Sequence, residues 1–185
     1  MRFSPGGNTV TISFLAILIL TCIALITDIK SRIVPNWLVG IGFLTGLVYQ
    51  LFFGSIWQGL GAMLLAFAIG FPLFLLRGLG AGDVKLLMAV GLWTNMVFFL
   101  NAMFWIAVIG GALTVLAILF HRRGKSVYLN LKYFFYHLLI FWKPPKQLAI
   151  ESVTLPYCIP IFLGTAYAVA AHLLGFEYPI DPQTL

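Results

Sequence analysis

Apolar stretches close to the roughly 20 residues that cross a bilayer recur along this chain, and they leave few folds open to it. They run from about Val10 to Thr27, Trp37 to Phe53, Ile56 to Leu76 and Val84 to Phe98. A fifth ends by Phe120, and the last extends from about Val153 to Leu174. Segments that satisfy their own backbone in lipid are helices, so the predicted fold is all-α. It is a polytopic membrane protein of about six transmembrane helices, forming a single domain over residues 1–185. A charged fraction of 9% and a mean hydropathy of +1.04 agree. In soluble globular chains about a quarter of residues are charged.

The punctuation between stretches is legible. Pro35-Asn36 favours an extended entry, with Asn36 capping the helix that follows. Gly54-Ser55 makes a tight turn. The fourth stretch has two candidate ends, Trp93-Thr-Asn95 and Asn101. Residues Ser126 to Trp142 are apolar and aromatic but interrupted by Asn130, Lys132 and His137, and basic segments flank them on both sides. A cytoplasmic interfacial amphipathic segment is expected there, anchored by Tyr and Trp. The N-terminal stretch is read as a retained span, since it continues to Thr27 and ends in basic residues.

Charge follows topology. Lys30, Arg32, Arg77, Lys85, Arg122, Arg123, Lys125, Lys132, Lys143 and Lys146 fall on one side of the six-span arrangement, and only Arg2 falls on the other. By the positive-inside rule the first side is cytoplasmic and both termini face outward. The net charge of +6 thus needs no nucleic acid, and membrane lipids are the expected surroundings. Cys22 and Cys158 lie in apolar segments with no C-x-x-C pair, which excludes a zinc knuckle or a redox motif. No H-E-x-x-H occurs, and His121, His137 and His172 are too scattered to chelate as a set. No metal or cofactor is expected.

Against this apolar background two acids stand out. Asp28 closes the first stretch in Ile26-Thr-Asp-Ile-Lys-Ser-Arg32, and Asp83 opens the fourth in Gly80-Ala-Gly-Asp-Val-Lys85. A charge at the centre of a spanning helix costs roughly 2.5 to 3.5 kcal/mol, so acids beside spans usually have a function. The topology puts both at the same membrane depth. Two carboxylates sharing a site cannot both ionise cheaply, and the pair holds one proton. In such a dyad the ionised partner activates a water and the protonated one polarises a peptide carbonyl, then protonates the leaving amine. Gly80 and Gly82 would let backbone pass close to an extended substrate. Lys30, Arg32 and Lys85 read first as topology anchors, and Glu151 as a solvated loop acid.

Thr27-Asp-Ile-Lys-Ser-Arg-Ile-Val-Pro-Asn36 and Gly80-Ala-Gly-Asp-Val-Lys85 together resemble the two signature blocks of the type IV prepilin peptidases, which are intramembrane aspartic proteases of the Gly-x-Gly-Asp kind. The resemblance implies that Asp28 and Asp83 are the catalytic pair, with Lys30, Arg32, Pro35, Asn36, Gly80, Gly82 and Lys85 in supporting positions. It implies a prepilin or pseudopilin substrate whose leader is cut at the cytoplasmic face of the bacterial inner membrane. Leu155-Pro-Tyr157 resembles a further block of the family, bringing in Pro156 and Tyr157; where the family commonly has glycine next, this chain has Cys158. Larger members carry an N-terminal domain with two C-x-x-C pairs that accompanies N-methylation of the mature pilin. This sequence has no such domain and resembles the short, peptidase-only members associated with tight-adherence (Flp-type) pili, so methyltransferase activity is not expected.

Two rivals compete with hydrolysis. A proton-coupled small transporter would use the acids as relays, but relays belong nearer the midplane and no inverted repeat is evident. A non-catalytic membrane subunit of a secretion or pilus machine would leave the acids without chemistry.

Overall fold

The computed structural model describes residues 7–75, 79–120 and 157–176. The expected interfacial segment, Glu151 and Pro156 lie outside them. Among the described residues there are six helices and no strand: α1 Gly7–Ser31, α2 Asn36–Phe52, α3 Ile56–Leu75, α4 Ala81–Trp93, α5 Met96–Phe120 and α6 Cys158–Leu173. The all-α expectation therefore holds. Stretches within α1, α3 and α5 are long and apolar enough to cross a membrane, while α2 and α6 are shorter apolar helices. By packing the chain divides into two compact units, Met1–Gly110 with Pro156–Leu185, and Gly111–Leu155. Of the second, the described residues are the C-terminal end of α5.

Within the first unit α4 is the central element. With 13 residues it is about 20 Å long, less than the ~30 Å of a hydrocarbon core. Nearly every side chain from Asp83 to Trp93 is buried. Helices α1, α2 and α3 all pack against it, and α6 packs against α1. The α3–α4 approach is closest because small residues face it: Gly59, Ala62, Ala66 and Gly70 are the buried positions of α3. At Gly91 of α4 a β-carbon would come within 2.8 Å of the Ala62 carbonyl oxygen, so only glycine fits. Leu20, Ala24, Leu38, Val39, Leu86, Leu87, Val90 and Ile161 form the core around α4.

The outer faces carry the opposite pattern. Ile12, Leu15 and Ile19 on α1, Trp37, Leu44 and Leu51 on α2, and Trp57, Leu64 and Phe67 on α3 are all exposed. Apolar area this continuous is unusual on a soluble monomer and suits a lipid environment.

The helix boundaries refine the expected ones. Of the two candidate ends for the fourth stretch, the chain breaks at Thr94-Asn95, so α4 stops at Trp93 rather than near Phe98. Polar groups end it. Thr94 Oγ1 donates back to Val90 O at 3.1 Å, and Gln50 Nε2 donates to Leu92 O at 2.8 Å and to Thr94 O at 3.0 Å. Asn95 then caps α5, its Oδ1 accepting from the Phe98 amide at 2.8 Å. The α1 helix runs past the first apolar stretch to Ser31, so Asp28 lies inside its last turn instead of ending it.

Candidate active site

Asp28 is delivered by the C-terminal turn of α1. The Arg32 amide still bonds to Asp28 O at 2.8 Å, and Arg32 itself takes a left-handed conformation, φ 52°. Glycine is the usual residue at such a helix exit. The chain then passes without regular structure through Ile33 and Val34 to an extended Pro35, from which α2 starts. The Asp28 side chain is only 8% exposed, and its Oδ2 is buried with no hydrogen-bond partner among the described residues. A buried polar atom left in that state calls for an explanation, and chemistry is one.

Asp83 comes from the first turn of α4. Gly80 is the N-cap, and the Gly80 amide donates to Asp83 Oδ2 at 3.1 Å, closing half of a capping box around the helix start. The position favours a carboxylate, because free amides and the helix dipole both act there. On its other side Asp83 Oδ1 accepts from the Cys158 thiol at 3.5 Å. Asp83 is as buried as Asp28, at 8% exposed, and no cation acts on it among the described residues. Asp28 lies within electrostatic range of Asp83.

The third contributor is the start of α6. Tyr157 is its exposed N-cap residue and lies within electrostatic range of Asp83. Cys158, fully buried, is in range of Asp28 as well as bonded to Asp83. Sequence reasoning left Cys158 without a role. Nothing in its local pattern signals the contact, which depends on the packing of α6 beside α1 and α4.

The remaining sequence candidates divide between this spot and its margins. Gly82 immediately precedes Asp83 and Gly80 caps its helix, and a β-carbon on Gly82 would come within 3.0 Å of Val34 Cβ. The loop leaving the Asp28 helix therefore rests on the first turn of the Asp83 helix. Pro35 is half-buried in that loop, while Lys30 and Arg32 are exposed beside it. Asn36 does not cap α2 as expected. The N-cap position belongs to Pro35, and the Asn36 side chain accepts from Lys85 Nζ at 3.1 Å, joining α2 to α4 at the exposed rim. Pro156 lies outside the described residues.

Lys85 and Asn36 also edge a separate groove of about 550 Å³ between α2, α3 and α4, floored by Phe43, Phe67, Phe71 and Phe74. Neither acid lines it. Among the described residues no three His, Cys, Asp or Glu side chains converge to hold a metal ion. What converges is a pair of buried carboxylates drawn from different helices, with one oxygen unsatisfied. That arrangement can share a proton and serve as acid and base in one step.

The model of the type IV leader peptidase family matches residues 14–115, more than half of the chain. The matched part includes both acids and stops short of Cys158. No curated protein and no solved structure matches the chain.

Proposed function

This chain belongs to the type IV leader peptidase family, and on that footing we propose that it is an aspartic endopeptidase in which Asp28 and Asp83 form the catalytic pair. The substrate is a type IV prepilin or pseudopilin, and the reaction removes its leader peptide.

The observation that carries this reading is the meeting of the two acids. Each is 8% exposed, they come from α1 and α4, and Asp28 lies within electrostatic range of Asp83. Like charges so placed favour one shared proton. The ionised carboxylate takes a proton from water as the water attacks the scissile carbonyl. The protonated one donates to the carbonyl oxygen and then to the departing amine. Asp28 Oδ2 is buried and has no hydrogen-bond partner among the described residues, so its acceptor capacity is uncommitted. A proton relay would need no second buried carboxylate from another helix, and a purely structural pair would be expected to bond fully to its surroundings.

Placement follows from charge. Asp28 and Asp83 lie beside Lys30, Arg32 and Lys85, and a basic flank of this kind faces the cytoplasm. We therefore assign the site to the cytoplasmic face of the bacterial inner membrane in a multi-pass protein whose termini face outward. The peptidase-only form and its association with Flp-type pili remain part of the same proposal.

The test is co-expression with a candidate prepilin and a gel assay for leader loss. The reading predicts a shortened pilin only when this protein is present. Proton-dependent flux with the prepilin left intact would replace it with the transporter.

A further inference from the structure

The chemistry just proposed makes no use of Cys158, yet its side chain reaches the acid pair. The thiol donates to Asp83 Oδ1 at 3.5 Å while the Gly80 amide donates to Asp83 Oδ2 at 3.1 Å. Each oxygen of Asp83 is thus held from a different element, one by the start of its own helix and the other by α6. Asp28, on α1, has one buried oxygen without a hydrogen-bond partner among the described residues, and the Cys158 thiol lies within reach of this acid too. Among the described residues, Gly80 at the start of α4 and Tyr157 and Cys158 at the start of α6 face the pair.

We propose that Cys158 is a positioning residue, whose thiol fixes the rotation of the Asp83 carboxylate against its partner acid, Asp28. This rests on the aspartic peptidase reading. A carboxylate held at one oxygen turns easily about its last side-chain torsion, which is broad and nearly twofold. Held at both, it keeps one orientation. A thiol is a weak donor, but packing fixes this one. Cys158 belongs to the core cluster with Ala24, Leu86, Leu87 and Ile161 and has no exposed surface. The role involves no bond-making at sulfur.

The distinguishing test is an order of activities. Cys158→Ala and Cys158→Val remove the donor and keep the site apolar; Cys158→Ser keeps a donor and buries a hydroxyl. Positioning predicts that kcat for leader cleavage falls about fivefold to tenfold in the first two, the factor of one modest hydrogen bond, with KM little changed. Cys158→Ser should recover most of the loss. A packing role predicts the reverse, since a buried hydroxyl suits an apolar cluster worse than valine does. An active Cys158→Val beside a poor Cys158→Ser would overturn the proposal.

The contact itself is read by infrared spectroscopy, independently of turnover. The S–H stretch that disappears in Cys158→Ala should move to higher frequency in Asp83→Ala as its acceptor is lost. Asp28 is also within reach of the thiol, so a band that fails to move on loss of Asp83 both in the native protein and in an Asp28→Ala background rules the contact out, whatever the enzyme does. A band that moves as stated in a protein that leaves every prepilin uncut would instead remove the peptidase reading, and with it the catalytic consequence.

Discussion

Gly82 lies directly against Val34, so close that a β-carbon there would sit 3.0 Å from Val34 Cβ. The contact joins the two halves of the candidate site, because Val34 belongs to the segment leaving the Asp28 helix and Gly82 precedes Asp83. The glycine spacing beside Asp83 thus sets how near the two acids can come.

Substitution at this point should separate stability from activity. Gly82→Ala gains up to about 1 kcal/mol of helix propensity, which offsets the cost of crowding Val34. The melting temperature in detergent should therefore change little while leader cleavage falls. Adding Val34→Ala should restore cleavage by making room. If the double variant is no better than the single one, this contact does not govern the site.

Gln50 offers a purely structural prediction. Its side chain is 4% exposed and donates to two carbonyls at the end of α4, Leu92 O and Thr94 O. Gln50→Leu leaves two carbonyls without that donor and should destabilise the protein by about 1–3 kcal/mol. Gln50→Glu should be worse, because an acceptor then faces acceptors. Thermal unfolding of the purified variants checks the order.

Gly91 should tolerate nothing larger. A methyl group there meets the backbone of α3, 2.8 Å from Ala62 O, and backbone cannot swing aside as a side-chain end can. Gly91→Ala is expected to cost about 1–3 kcal/mol despite its better helix propensity, and Gly91→Leu should prevent stable folding. A Gly91→Ala variant as stable as wild type would mean that α3 and α4 are not this close.

A cap at the other side of the break gives a smaller effect. Asn95→Ala removes the acceptor for the Phe98 amide and should cost about 0.5–2 kcal/mol, with Asn95→Asp nearly neutral. Comparing their unfolding midpoints tests whether α5 starts where the structure begins it.

The helical class was readable from the apolar stretches, because period and length are local properties. Both acids were readable too, since a carboxylate stands out in a chain with 9% charged residues. What the sequence did not disclose depends on partners far along it. The choice between two ends for α4 is settled by Gln50, which acts from the adjacent helix. Asn36 has a good capping side chain, yet Lys85 takes it and Pro35 occupies the cap position. Cys158 lies in an apolar segment and is fully buried, and its bond to Asp83 arises only where α6 meets the acids. Local pattern reports which side chains are unusual; packing decides whom they meet.

The central claim is that hydrolysis needs both carboxylates at once, and single Asp-to-Asn exchange tests it most directly. Asn keeps the size and hydrogen-bonding capacity of each side chain while removing its acid–base function. Leader removal from a co-expressed prepilin should drop at least about 100-fold in Asp28→Asn and in Asp83→Asn alike, with membrane insertion and melting temperature retained. Processing at close to the wild-type rate in either variant would contradict the account.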